Sequence, residues 1–485
     1  MSLSDLLVNI KIVLPLTALI AWSCFLLLID LFIPKGHKGW TALLAALGLV
    51  LCIGLFIIQG RQAGAGFNGM VIYDGFSTFL NVLILSSGLA GIALAYDYLK
   101  RMGIERGEYY SLLLFSISGM MLMAQANDLI VVFLALELLS IPLYVLAGFA
   151  RPKIESEEAS LKYFLIGAFS GSFEVFGIAL VFGATGSTNL SSIIAAIASK
   201  AADLPLLTVG AALIMVGLAF KVAAVPFHMW TPDVYHGSPS AVTGFMSVGA
   251  KVGGFAALLR IFVTAFPTLS SDLTMILWVI SAVTMFLGNV VAISQSNIKR
   301  MLAYSSIANT GYILMALVPY GNNAISANTI SAGLFFLVAY AFMTLGAWAV
   351  VIALEGPDGQ GLNLDDYAGL GRKYPLLAAS MAIFMLSFVG VPPTLGFMGK
   401  FYLFRTVIQG GYLGLALIGV FTTLLSAYFY LRVIVIMYMR EGQPVARTEF
   451  WTQLTAVAAA ILVIVLTLVA QPLLNLASRA VLLTY

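Results

Sequence analysis

Hydrophobic residues along this chain come in long blocks rather than in alternation. Scanning for runs of about 20 mostly apolar residues, the length needed to cross a bilayer, finds fourteen, the first over 12–32 and the last over 451–470. Backbone groups in hydrocarbon have no water to pair with, so each segment must satisfy them internally, and runs this long exceed barrel strands. The pattern therefore predicts an all-α integral membrane protein with fourteen transmembrane helices, joined by connections too short for a soluble domain. The first run has no basic leader and no small-residue cleavage site, so it reads as a retained span rather than a signal peptide. The apolar tail from Leu473 to Tyr485 is expected to lie on the surface as a short interfacial helix.

Basic residues in the connections set the orientation. Odd-numbered connections carry Lys35, Lys38, Lys100, Arg101, Arg106, Arg151, Lys153, Lys299, Arg300, Arg372, Lys373, Arg440 and Arg447, whereas even-numbered ones carry only Arg61 and Lys200. That bias puts the odd connections in the cytoplasm or its equivalent and both termini on the opposite side. A missed span would scramble the alternation, which supports an even count.

A repeat is also legible. Spans four to eight (109–262) and nine to thirteen (263–440) form groups of five, and an odd count makes the second enter the membrane inverted. Residues 1–108 supply three helices before them, and 441–485 the last span and tail. The fourth helix of each group is interrupted: Lys221 precedes Pro226 in one, and Lys400 follows Pro392, Pro393 and Gly396 in the other. Two broken helices at corresponding places of two inverted five-helix repeats point to a transport site.

Composition sharpens this. Of 485 residues 61% are hydrophobic and 9% charged, against about 45–50% and about 25% in soluble domains. A net charge of +3 without like-charged blocks gives no footprint for nucleic acid. Cys24 and Cys52 lie in apolar runs without metal spacing and read as packing residues. The GAGFNG segment at 64–69 matches a dinucleotide fingerprint by letter, but it sits between two spans with no preceding strand and is discarded. The GAFSG run, Gly167 to Gly171, more plausibly lets two helices approach closely.

Charges near the bilayer centre cost about 2.5–3.5 kcal/mol or more each, so they need a partner, water or a task. Glu137, Lys221, Lys251 and Lys400 are the candidates best centred in their spans. A static pair between Glu137 and one lysine would leave the other lysines unmatched. Glu174 either balances a lysine, acts as a further relay carboxylate, or faces a neighbouring subunit. Lys162, at the start of span six, either relays protons or snorkels to the interface. His228, just past the Pro226 break, is a proton relay or a structural hydrogen bond at a helix end. Arg260, Arg405 and Arg432 read as snorkelling residues near span ends, and His236 and His37 as loop residues. A lysine in a dry pocket changes its proton affinity with the position of a nearby carboxylate, so this set suits protons. Sodium would favour carboxylates and carbonyls instead.

The stretches GLAFKVAAVPFHMWTPDVYHGSP, ISQSNIKRMLAYSSIANTGY, LALELLSIPLY and LSFVGVPPTLGFMGKFYLF together resemble the antiporter-like membrane subunits of respiratory complex I, the proton-pumping NADH:quinone oxidoreductase, most closely the subunit N branch. The chain stops after span fourteen, unlike the longer subunit L relatives, and a lysine at Lys400 differs from the usual acidic residue of subunit M. The resemblance implies fourteen helices and a proton path through Glu137, Lys221, Lys251 and Lys400, with Lys162 at a position the family uses as a relay. Asn309 stands where many relatives have histidine, and Glu174 where apolar residues are common. It further implies a translocase subunit of the bacterial plasma membrane, surrounded by lipid. No redox centre is expected in this chain; flavin, iron–sulfur clusters and the quinone site belong to partner subunits. Antiporter-like subunit M and the small subunit K are the expected neighbours, and electron transfer elsewhere is the expected driving force. A Mrp-type cation/proton antiporter module and a non-conducting membrane scaffold are the competing readings.

Overall fold

The computed structural model describes residues 3–60, 63–322, 325–480 and 482, so Arg61 and most of the last few residues lie outside it. In chain order the helices are α1 (Leu3–Asp30), α2 (Gly39–Gln59), α3 (Gly75–Arg101), α4 (Glu108–Gln125), α5 (Leu129–Ala147), α6 (Ile154–Thr185), α7 (Leu190–Ala198), α8 (Leu204–Val222), α9 (Trp230–Gly237) and α10 (Ser240–Arg260). They continue as α11 (Ser270–Ile293), α12 (Ile298–Leu317), α13 (Ser326–Leu354), α14 (Leu370–Lys373), α15 (Pro375–Val389), α16 (Leu395–Gln409), α17 (Leu413–Met439), α18 (Phe450–Leu468) and α19 (Ala470–Ser478). Among the described residues, eleven helical segments are long and apolar enough to cross a membrane. Helices α4 and α12 run 18 and 20 residues but are more polar, and α15 and α16 are 15 residues each.

Local chemistry starts and stops the helices where the polar connections stand. Asp74 caps α3 by accepting the Ser77 N–H at 2.7 Å, Asp128 caps α5 and Asn297 caps α12, each satisfying an N–H that has no partner inside its helix. Helix α6 closes on Gly186 at φ 74°, the left-handed position glycine fills most readily. The GAGFNG segment supplies β1 (Gly64–Gly66) and part of the turn of a small antiparallel hairpin with β2 (Val71–Tyr73).

Two helices fill the centre. In both α10 and α13, 94% of the most apolar stretch is buried, so their polar residues face other helices rather than lipid. The outer surface carries Leu47, Phe169, Phe176, Leu417 and Leu424, the apolar face that lipid or a partner subunit requires. Cys24 is exposed on that surface and only Cys52 is buried, so the packing role holds for Cys52 alone.

The connections sort into two ends, as their charges predict. At one end Arg101 pairs with Glu449 at 2.5 Å, Arg440 with Asp365 at 2.9 Å, and Lys153 donates to the Pro357 carbonyl at 3.1 Å. These are all odd-numbered connections. At the other end Val71 bridges Ala126, and Asp128 bridges Asn189. A matching antiparallel bridge joins Asn297 to Asn363 at the basic end. In the Asp128 bridge, Leu129 N–H donates to the Thr188 carbonyl and Leu190 N–H to Asn127. The Asn297 bridge repeats this through Ile298 to Leu362 and Leu364 to Ser296.

Two sequence expectations change here. Arg260 does not snorkel: it is 1% exposed, donates to both Asp74 oxygens at 3.0 Å and to the Ala124 carbonyl at 2.9 Å, and lies over the Phe76 ring. Helix α10 is interior along its whole length, so its last residue has no lipid interface to reach. Arg432 turns inward too and donates to the Ile293 and Gln295 carbonyls at the end of α11, where the helix dipole favours a cation. Arg405 is exposed, in keeping with snorkelling.

Candidate functional site

Both broken spans open where a residue takes a left-handed backbone. Helix α8 ends before Ala223 at φ 63°, and the chain turns through Met229 into α9; helix α15 ends before Gly390 at φ 87° and resumes as α16. A helix cut in mid-span leaves its last carbonyls without N–H donors. A lysine answers that need at the second break and a threonine at the first. Lys400 of α16 is buried, and its Nζ donates to the Phe388 carbonyl at 2.8 Å and the Val389 carbonyl at 3.2 Å. Val222, the last residue of α8, has its carbonyl paired with the Thr310 hydroxyl at 2.6 Å.

That threonine joins two of the candidate lysines. Lys251, buried at the middle of α10, donates to Thr310 Oγ1 at 2.6 Å and to the Ser306 carbonyl, and lies 5.7 Å from the Tyr340 ring centre. Lys221 is the residue before Val222. Its Nζ donates to Ser140 Oγ of α5 at 2.7 Å and reaches Tyr163 Oη of α6 at 3.4 Å. Val222, Thr310 and Ser306 thus run from beside Lys221 to Lys251.

From Lys251 the polar path continues through α12. Its other residues, Ser305 and Tyr312, face α17: Ser305 shares a 2.5 Å hydrogen bond with Tyr430, and Tyr312 Oη pairs with Thr422 at 3.1 Å and accepts from Thr423 at 3.2 Å. Lys400 donates to Thr423 Oγ1 at 3.5 Å and lies 4.5 Å from the Tyr312 ring centre. Helix α12 therefore connects the Lys251 cluster to the Lys400 cluster. Asn309 takes part by donating to the Ser305 carbonyl at 2.9 Å, while its Oδ1 is a buried atom without a partner.

Glu137 is on α5 one turn before Ser140 and is half-buried. Among the described residues no ion pair joins it to Lys221, although the two act on each other electrostatically. A static Glu137 pair is therefore absent. The glycine run supplies its space: a Cβ on Gly171 would stand 3.2 Å from Glu137 Oε1. Glu174 is fully buried between α6 and α8, and a Cβ on Gly217 would stand 2.9 Å from its Oε2. It does not face a neighbouring subunit. Both its carboxyl oxygens lack hydrogen-bond partners, which at this depth calls for water or a proton.

Two residues stand apart from this line. Lys162 is 39% exposed and pairs at 2.7 Å with both Glu158 and Asp233; Asp233 also pairs with Arg300 at 2.9 Å. It lies more than two turns into α6, in a half-exposed ion-pair network rather than in the buried chain. His228 lies in the α8–α9 break, bonded to Pro226, with Nδ1 unpaired. Sequence reasoning missed Asp233, which ties α6, α9 and α12, because one acid among loop residues carries no signal until Lys162 and Arg300 are seen to converge on it. It also missed Ser140, Thr310 and Tyr312, since hydroxyls are common in apolar runs. His236 is in the last turn of α9, not in a loop, and His37 is exposed in a short turn.

The architecture and its buried ammonium groups define a helical, many-spanning membrane protein with adjoining polar clusters in its interior. Residues 126–426 match the family described as NADH:quinone oxidoreductase/Mrp antiporter, TM. The chain is 46% identical to the NADH-quinone oxidoreductase subunit N of Chloroflexus aggregans, covering 98% of this chain and 97% of that one, and 44% identical to that of Trichlorobacter lovleyi, covering 94% and 92%. Among solved structures, a chain of respiratory complex I from Thermus thermophilus with bound aureothin is 34% identical at TM-score 0.82, covering 96% of this chain and 99% of that one. A chain of the Mrp complex from a Dietzia species, 20% identical at TM-score 0.80, shares the fold. The chain belongs to the NADH:quinone oxidoreductase/Mrp antiporter transmembrane family, and the expected resemblance to its subunit N branch is borne out.

Proposed function

We propose that this chain is a proton-translocating membrane subunit of an NADH:quinone oxidoreductase of the complex I type. One observation carries the reading: three buried lysine clusters adjoin, Lys221 with Ser140, Lys251 with Thr310 and Lys400 with Thr423, the first two meeting at Val222, whose carbonyl accepts from Thr310, and the last two sharing α12. Hydroxyls and amines can each accept a proton on one side and donate one on the other, whereas the carbonyls between them only hold donors in place and leave water to bridge the clusters. Glu137 tunes the Lys221 end because it is near enough to act on it without neutralising it in a fixed pair.

The finer organisation belongs to the same proposal. Fourteen spans result when α4, α12, the α8–α9 pair and the α15–α16 pair are each taken as crossing. The matched bridges Asp128–Asn189 and Asn297–Asn363 at opposite ends support two inverted repeats, 109–262 and 263–440, flanked by 1–108 and 441–485. Each bridge joins the first and third connections of its repeat. The basic end is cytoplasmic and both termini are opposite, in a bacterial inner membrane. Flavin, iron–sulfur clusters and quinone reside in partner subunits, with subunits M and K as neighbours, and their electron transfer drives this chain.

The test is proton pumping by membrane vesicles carrying Lys221→Ala in the assembled complex. Pumping driven by NADH is expected to fall by about tenfold or more while assembly, checked on native gels, persists. Normal pumping by the assembled variant refutes the assignment.

A further inference from the structure

At the basic end, beneath the turn between α9 and α10, lies a cavity of about 410 Å³ that the lysine seam does not use. At ~30 Å³ per molecule it holds on the order of ten waters. Its walls mix polar and apolar groups, and several wall atoms are buried without partners: Glu355 Oε2, His236 Nδ1 and Ser238 Oγ, with Ser240 Oγ beside them. Buried polar atoms are nearly always satisfied, and atoms orphaned together around one void are satisfied by water in it. Glu355, 5% exposed, follows the last residue of α13, where the helix dipole opposes a negative charge. Lys299 faces the same void from the first turn of α12, where the dipole opposes a cation, and its Nζ donates to the Ser238 carbonyl at 2.7 Å. Neither charge is placed to stabilise its own helix.

Polar residues of α9 and α10 lead from the cavity toward Lys251. Glu355 is within hydrogen-bonding reach of the Tyr98 phenol, whose oxygen accepts the Ser240 N–H at 3.1 Å. On α10, Ser240, Ser247 and Lys251 recur at helical spacing and share one face. Alongside it Tyr235, the residue before His236, reaches the Ser306 hydroxyl, and the Ser306 carbonyl accepts from Lys251. We propose that this cavity is the hydrated vestibule from which Lys251 is loaded, with Glu355 as the carboxylate that collects protons at its mouth. A proton from bulk water protonates Glu355; passing through water and the α9–α10 hydroxyls, it leaves Glu355 as carboxylate and converts the Lys251 amine to ammonium. The inference rests on the proton-translocating reading above.

The experiment compares intact complexes in membrane vesicles by protons pumped per NADH oxidised. Glu355→Gln is expected to lower that yield by about tenfold or more and to raise the solvent deuterium isotope effect on turnover, with Glu355→Asp restoring both. Ser238→Cys, in a background with Cys24→Ser and Cys52→Ala, is expected to react with a small hydrophilic thiol reagent added at the basic end and to lose yield on reaction. Loss of yield in Lys251→Ala together with wild-type yield in Glu355→Gln overturns the vestibule and leaves the function standing, whereas normal pumping by Lys251→Ala sinks the function itself. Should Glu355→Gln fail to assemble, the cysteine decides: an unreactive Cys at 238 means a dry pocket and overturns the proposal.

Discussion

At the scale of single residues, the buried charges divide by what they touch. Among the described residues, Lys221, Lys251 and Lys400 donate hydrogen bonds only to neutral hydroxyls and carbonyls, so none is held as an ammonium by a fixed carboxylate pair. Arg260 and Asp74 form the opposite case, a doubly hydrogen-bonded pair with both side chains at 1% exposure or less. Removing one member of such a pair takes a doubly hydrogen-bonded partner from a buried charge, at roughly 3–5 kcal/mol. Arg260→Met should accordingly lower the thermal unfolding midpoint of the purified complex while leaving the lysine seam intact. Adding Asp74→Ser removes the carboxylate that Arg260 faced and keeps an oxygen to cap α3, so the double variant should regain part of the loss; a double variant less stable than Arg260→Met contradicts this account. The lysines were legible in the sequence because a charge in an apolar run is conspicuous. Arg260 was misread for the same reason the lysine partners were missed: Asp74 is 186 positions away, and only the folded chain shows which of two span ends meets lipid.

Among elements, the broken helices decide function because they place free carbonyls at mid-depth. Prolines at 226, 392 and 393 announced both breaks in the sequence, but what occupies each break was hidden, since Lys400 comes ten residues after Gly390 and returns to it only through the α15–α16 turn. Helix α7, which no apolar run announced, is a short capped helix between α6 and α8. The second break offers a paired test. Gly390 and Gly411 both have left-handed backbones, at φ 87° and 88°, where a Cβ costs roughly 1–2 kcal/mol. A Cβ on Gly390 would also stand 3.2 Å from Lys400 Cδ, whereas one on Gly411 meets nothing within 4 Å. Gly390→Ala and Gly411→Ala should therefore lower thermal stability by similar amounts, but only the former should reduce protons pumped per NADH. Equal pumping by the two would mean that the position of Lys400 against the break does not matter.

For the molecule as a whole, the proposed inverted arrangement has a consequence that neither repeat shows alone. If 109–262 and 263–440 enter the membrane in opposite senses, then corresponding connections must emerge on opposite sides, and the Asp128–Asn189 and Asn297–Asn363 bridges mark such a pair. The charge bias gives each side its sign: Lys153, Arg440 and their partners gather at the end that holds Asn363, and the end that holds Asn189 is poor in lysine and arginine. A cytoplasmic excess of basic residues follows from the energetics of insertion, so the side of each connection is fixed by the chain itself. Ser199, after α7, and Gln360, between α13 and α14, are exposed and close to the respective bridges. With Cys24→Ser and Cys52→Ala as background, Ser199→Cys should react with a membrane-impermeant thiol reagent in intact right-side-out cells, whereas Gln360→Cys should react only in inverted vesicles. Labelling of both from one side would place the two bridges on the same face. The repeats would then be parallel, the odd number of crossings in each would be wrong, and the two breaks would no longer face each other across a shared mid-depth seam.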